Sequence, residues 1–128
     1  MQRPRILVVE DDARSQRLFR DILELAGYDV CQARSVEEGR CRLRDAVPAL
    51  VVMDIQLPGG GGELLLSEMR EDPLLPRIPV IAVTAFAMAG DRQRLIQAGF
   101  DGYISKPIDT RSFAETIAAI LEEHANER

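Results

Sequence analysis

Residues 5–10 read RILVVE. After Arg5 the run is apolar and rich in β-branched residues, with no polar residue until its end. That is the pattern of a strand buried on both faces, as in a parallel sheet. It stops abruptly on carboxylates, Glu10, Asp11 and Asp12. The same grammar returns downstream. ALVVMD (49–54) is a third strand that closes on Asp54, and IPVIAVTA (78–85) holds a fourth with Thr84 near its end. GYISKP (102–107) is a fifth, ending on Ser105 and Lys106, and YDVCQA (28–33) is a weaker second strand.

Amphipathic stretches separate the strands. ARSQRLFRDILELAG (13–27) places Leu18, Ile22 and Leu25 on one helical stripe, with Phe19, Leu23 and Ala26 beside it. Gly27 stops that helix. SVEE (35–38) reads as a capping box, Ser35 as N-cap and Glu38 reaching back to it. The helix it opens carries Leu43 and ends before Pro48. GELLLSEMRED (62–72) is a third helix, terminated by PLLP, and AMAGDRQRLIQAGF (87–100) a fourth, closed near Gly99. DTRSFAETIAAILEEH (109–124) is the last, with Phe113, Ile117, Ile120 and Leu121 facing inward. Strands alternating with helices imply right-handed βαβ units and a parallel sheet covered on both faces.

Composition narrows the function. The chain has 128 residues, 46% hydrophobic and 29% charged, as expected of one soluble globular domain. No apolar run approaches the roughly 20 residues that span a bilayer, so no membrane contact is expected. The N-terminus runs straight into the first strand without a signal peptide, which predicts a cytoplasmic protein. A net charge of −5 argues against nucleic-acid binding, which needs a basic face. Cys31 and Cys41 are too far apart for CxxC chemistry and read as small apolar fillers or half-exposed thiols. His124, in LEEHANER, reads as part of a solvated helix end.

In parallel sheets of this kind ligands bind beyond the carboxyl ends of the strands. Glu10, Asp11, Asp54, Thr84, Ser105 and Lys106 all stand at that edge, and they converge if strands 1, 3, 4 and 5 are contiguous. Three gathered carboxylates would repel one another and raise at least one pKa. A hard divalent cation and one ammonium group would relieve them. Lys106 is the only lysine in a chain otherwise committed to arginine. A compact ammonium acts as a point charge toward a carboxylate or phosphoryl oxygen, where arginine needs a bidentate partner. Pro107 stiffens the turn that aims it. Asp12 is left to charge a helix N-terminus.

ILVVEDD, VMDIQLP, VTAFAM and YISKPI, in this order, resemble the receiver domain of two-component response regulators over essentially the whole chain. The wording FAMAGD and YISKPI is closest to stand-alone cell-cycle regulators and receivers of hybrid kinases. The resemblance implies a flavodoxin-like (βα)5 three-layer sandwich with strand order 2-1-3-4-5, and a single receiver domain over 1–128 with its core at about 4–123. It implies phosphoryl transfer from a histidine kinase or histidine phosphotransfer protein to Asp54. Mg²⁺, with Mn²⁺ as a substitute, would be held by Glu10, Asp11, Asp54 and the backbone carbonyl of Gln56. Thr84, Lys106 and the backbone amide after Asp54 match the groups that hold the phosphoryl oxygens, Tyr103 the aromatic switch, and Lys106–Pro107 a cis peptide. The output would be a docking face for a downstream protein, formed by the fourth helix, fifth strand and fifth helix, with Phe86, Met88 and Tyr103 on it. Phe86 would also shield the acyl phosphate from water. A phosphorylation-dependent dimer is left open. Two features depart from the commoner pattern. Glu10 stands where Asp is usual and would reach Mg²⁺ through a bound water, and LPGGGG is unusually rich in glycine, which predicts mobility at Gly59–Gly61 ahead of a helix-initiating Gly62.

Other readings fare worse. A flavin-binding carrier of the same topology needs a phosphate loop after the first strand, where EDDARSQ would repel phosphate. An aspartate-nucleophile phosphatase needs a second Asp two residues after the first, and position 56 is Gln. GxxxxGK is absent. Within the family the alternative is a receiver cut from a hybrid kinase or multidomain regulator. Met1 and the lack of an output domain after the last helix predict a stand-alone regulator that acts by protein contact.

Overall fold

A computed structural model describes residues 3–57, 61–85 and 90–126. Among these residues the elements are β1 (Arg5–Val9), α1 (Ala13–Leu25), β2 (Asp29–Ala33), α2 (Val36–Asp45) and β3 (Leu50–Asp54). They continue with α3 (Gly61–Glu71), β4 (Val80–Thr84), α4 (Asp91–Ala98), β5 (Gly102–Ser105) and α5 (Thr110–Asn126). The strands are all parallel in the order β2-β1-β3-β4-β5, as expected. The Lys106–Pro107 peptide is cis, again as expected.

Alternation along each strand sorts side chains onto two faces. Leu7, Val9, Val51, Met53, Val80 and Ala82 meet Leu43 of α2, Leu65, Leu66 and Met69 of α3, and Leu95 of α4. Ile6, Val8, Leu50, Val52, Ile81 and Val83 meet Phe19, Ile22 and Leu23 of α1 and Phe113, Ile117 and Ile120 of α5. Phe19 and Phe113 stack at 5.2 Å between ring centroids and lock α1 to α5. Every residue of β3 and β4 is buried, and β1 is buried after Arg5. Each buried aliphatic side chain contributes about 1.5–3 kcal/mol, so these three strands anchor the domain. The edge strands β2 and β5 are only partly covered.

Several local expectations shift. The apolar stripe of α1 runs through Phe19, Ile22 and Leu23; Leu18 is 44% exposed and Leu25 90% exposed. The helix turns the Phe19 side toward Phe113, which rotates Leu18 and Leu25 out to water. Gly27 follows the helix at φ 97°, where a side chain would be strained. Ser35 caps α2 through the Glu38 amide at 3.1 Å, but Glu38 accepts from the Arg34 amide rather than from Ser35. Helix α4 is described from Asp91, later than expected, and ends at an αL Gly99. β5 stops at Ser105 because Pro107 cannot donate to a ladder. Phe86, Met88, Gly59 and Gly60 lie outside the described residues.

Candidate functional site

β1 and β3 are neighbours in register, Val9 opposite Met53, so the residues that follow them meet. Glu10 lies one step past the end of β1 and Asp54 closes β3. Carboxylate oxygens of Glu10, Asp11 and Asp54 all lie within 4.8 Å of one another. β4 pairs with β5 so that Thr84 stands opposite Ser105. The Lys106 amide then donates to the Thr84 carbonyl at 2.8 Å, extending the β4–β5 pairing by one residue. From there the Lys106 ammonium enters the acidic cluster. Nζ donates to Glu10 Oε1 at 2.6 Å and stands 3.6 Å from Asp54 Oδ2.

Burial differs across the cluster. Glu10 has no exposure, Asp54 is 6% exposed and Thr84 4%, whereas Asp11 is open to solvent. Burial is the main reason that Glu10 titrates at about 7 instead of the ordinary 4.5; its hydrogen bond to Asp54 pushes the same way, and Lys106 resists. Burial works to lower the Lys106 pKa, but the hydrogen bond to Glu10 and the charges of Glu10 and Asp54 outweigh it and raise it. Lys106 is therefore a fixed positive charge. Asp12 takes the part expected of it: its carboxylate accepts from the Ser15 amide at 3.0 Å and hydroxyl at 2.9 Å and caps α1.

The floor under Asp54 is built by backbone. Gly62 donates its amide to the Ile55 carbonyl at 2.9 Å. A Cβ on Gly62 would lie 2.6 Å from the Asp54 carbonyl oxygen, so the first turn of α3 can seat here only on glycine. The amide directly after Asp54, that of Ile55, is spent on Val83 O at 3.1 Å within the sheet. The amide that meets the Asp54 carboxylate is Gln56's, at 3.0 Å from Oδ1. Tyr103 is partly buried and packs against the core on the α4 side of the sheet.

Sequence reading missed two features. It paired Lys106 with the cluster as a whole and not with Glu10 in particular. It also passed over Gln16, which is buried in α1 and donates to the Glu10 carbonyl. The signal for Gln16 was present: a polar residue on the same helical face as Phe19 and Leu23.

Three carboxylates, one of them wholly buried, are hard oxygen donors of the kind that hold a small divalent cation. Lys106 adds the positive charge that attracts an anion to the same place. The arrangement therefore suits a ligand carrying phosphoryl oxygens beside a free carboxylate. Comparison with known proteins agrees with that chemistry. The profile of the response regulator receiver domain matches residues 6–118. The polar-differentiation response regulator DivK of Brucella ovis is 45% identical over 116 residues, 91% of this chain and 94% of that protein. A CheY-like receiver domain protein from Methanospirillum hungatei superposes with a TM-score of 0.89 at 33% identity, covering 99% of this chain and all of that one. The signal receiver domain of a histidine kinase from Syntrophus aciditrophicus gives a TM-score of 0.84 at 29% identity, covering 94% and 91%.

Proposed function

Because the chain belongs to the response regulator receiver domain family, we propose that Asp54 is its phosphoacceptor and that residues 1–128 act as one receiver domain. The supporting observation is the convergence of Glu10, Asp11 and Asp54, with the Lys106 ammonium set against Glu10 and Asp54, side chains drawn from the ends of β1, β3 and β5. The fold and its family assign a signalling module of two-component systems. No helix among the described residues is long and apolar enough to cross a membrane, and we place the protein in the cytoplasm.

An Asp54 carboxylate oxygen attacks phosphorus of a phosphohistidine on a histidine kinase or phosphotransfer protein. A P–O bond to Asp54 forms, the P–N bond breaks, and imidazole leaves. Glu10, Asp11, Asp54 and the Gln56 carbonyl would hold Mg²⁺, or Mn²⁺ in its place, and the metal supplies charge neutralisation for the transferred group. The protein's own part is positioning and electrostatics. Lys106 is anchored by its backbone to Thr84 and by its ammonium to Glu10, so its charge is in place before a donor arrives. The Gln56 amide orients one Asp54 oxygen and leaves Oδ2 toward Lys106. The same site lets water reverse the modification.

Thr84 ends β4 beside the site, and Tyr103 sits on β5 two residues before Ser105, the direct partner of Thr84. A dianion at Asp54 draws the Thr84 hydroxyl inward and opens room for Tyr103, which remodels the α4–β5–α5 face for a downstream protein. The test is incubation with Mg²⁺ and acetyl phosphate. Wild type gains the mass of one phosphoryl group and Asp54→Asn does not; equal labelling of both would remove Asp54 from its role.

A further inference from the structure

Gln16 is a polar side chain at the junction of α1, β1 and β2 that no step above uses. It is buried, and its Nε2 lies 2.6 Å from the Ala33 carbonyl, 2.9 Å from the Glu10 carbonyl and 3.3 Å from the Val8 carbonyl. A carboxamide nitrogen carries two hydrogens, so Ala33 and Glu10 take the direct bonds and Val8 the longer one. Three carbonyls also settle which end of the amide faces them, since an oxygen in that place would be repelled by all three. The opposite atom, Oε1, is buried with no partner among the described residues. Burying an acceptor that way costs stability, and leucine or methionine would fill the space without it. What glutamine adds is the pair of donors.

Those donors act at one spot. The Glu10 amide donates to Ala33 O at 2.9 Å, the same oxygen that Gln16 reaches. Gln16, Ala33 and both backbone groups of Glu10 thus form a closed ring of hydrogen bonds. It sits where β1 and β2 have ended and no further ladder holds the chain. The Glu10 carboxylate projects from that ring. On the other side, Gln32 Nε2 donates to the Gln16 carbonyl at 3.2 Å and Arg42 Nε to the Gln32 carbonyl at 3.1 Å, tying the ring to α2.

We propose that Gln16 is a positioning residue for the acidic site: from α1 it clamps the Glu10 backbone and so sets where the Glu10 carboxylate stands against Asp54, Lys106 and a bound divalent cation. This rests on the receiver reading of that site. Partners behind a metal ligand commonly tune affinity by about 10–100-fold.

Gln16→Met keeps the length of the side chain and removes both donors. Ile22→Val, on the same helix, trims the core without touching the ring and serves as the comparator. Three quantities are measured on the full chain: hydrogen exchange at the Glu10 amide, the Mg²⁺ dissociation constant by calorimetry, and the KM and kcat for modification by acetyl phosphate. Gln16→Met is expected to speed exchange at Glu10, to weaken Mg²⁺ binding on the order of tenfold, and to lower kcat. Ile22→Val leaves all three at the wild-type value. Should Gln16→Met not fold, Gln16→Asn, which keeps the donor but shortens its reach, carries the same comparison. Wild-type exchange and affinity in the Gln16 variant would overturn the proposal, as would an equal loss in Ile22→Val. A wild-type chain that binds no Mg²⁺ would instead overturn the reading of the site itself.

Discussion

Glu10 has no contact with solvent, yet it shares its surroundings with Asp54, Asp11 and the Lys106 ammonium. Its pKa of about 7 in the fold against an ordinary 4.5 makes stability depend on pH. Between those values the folded chain holds a proton that the unfolded chain has released, so stability falls as pH rises through the window. The destabilisation is absent below about 4.5 and complete above about 7. In metal-free protein the melting temperature should therefore climb as pH is lowered from about 8 to 6. Asp54→Asn removes the negative charge that helps raise Glu10 and weakens the hydrogen bond that does the same, and it should flatten that slope and raise the melting temperature at pH 8 by a few degrees. A variant as steep as wild type in a thermal scan would show that Asp54 does not crowd Glu10. Since a divalent cation competes with that proton, Mg²⁺ should raise the melting temperature more at pH 8 than at pH 6. Lys106 belongs to the same balance from the other side. Lys106→Ala leaves Glu10 to be held neutral by its proton, so the fold survives. Phosphorylation by acetyl phosphate should nonetheless slow on the order of a hundredfold, the size expected for losing one preorganised charge.

Within elements, legibility followed how much of the physics was local. β3 and β4 could be read from ALVVMD and IPVIAVTA because strands buried on both faces need apolar residues throughout. The acidic strand ends were legible for the same reason, since each carboxylate interrupts such a run. The orientation of α1 was not: its sequence offers apolar residues over a wide arc, and only the stack of Phe19 on Phe113, 94 positions away, decides which are covered. The Glu10–Lys106 pair was illegible in the same way, because three carboxylates were equal candidates and only the fold separates 2.6 Å from 3.6 Å. Gly62 was legible as a helix start, but the reason it must be glycine is tertiary. A methyl there meets the Asp54 carbonyl at 2.6 Å and Met53 Cγ at 3.0 Å, backbone and core that have little room to yield. Gly62→Ala should cost about 1–3 kcal/mol, read as a lower urea midpoint. By displacing Asp54 it should also slow phosphorylation more than a core change of equal stability cost does.

Across the whole molecule the sheet separates two edges. Glu10, Asp54, Thr84 and Lys106 crowd the carboxyl ends of the strands, where charge is concentrated and stability is sacrificed. The opposite ends of β4 and β5 are stitched by Arg70 of α3. Its guanidinium donates to the Ile78 carbonyl at 2.6 Å, to the Gly99 carbonyl at 2.9 Å and to Asp101 at 2.9 Å. Asp101 in turn accepts from the Val80 amide at 2.8 Å and from Arg77 at 2.7 Å. One side chain thereby joins the end of α3, the start of β4 and the segment leading into β5. Val80 and Thr84 are four steps apart on β4, which at about 3.3 Å per residue puts roughly 13 Å between this network and the acidic site. Arg70→Met keeps the apolar stem but takes the Arg70 donors from the Ile78 and Gly99 carbonyls and one of the two donors from Asp101 Oδ2, which keeps the Val80 amide, at a cost on the order of 2–4 kcal/mol. The urea midpoint should drop with an unchanged slope. Mg²⁺ affinity and the rate of Asp54 modification should stay at wild-type values wherever the variant is folded. A fall in modification rate that tracked the loss of stability would mean that the two edges move together, and that the stitched end takes part in setting the acidic one.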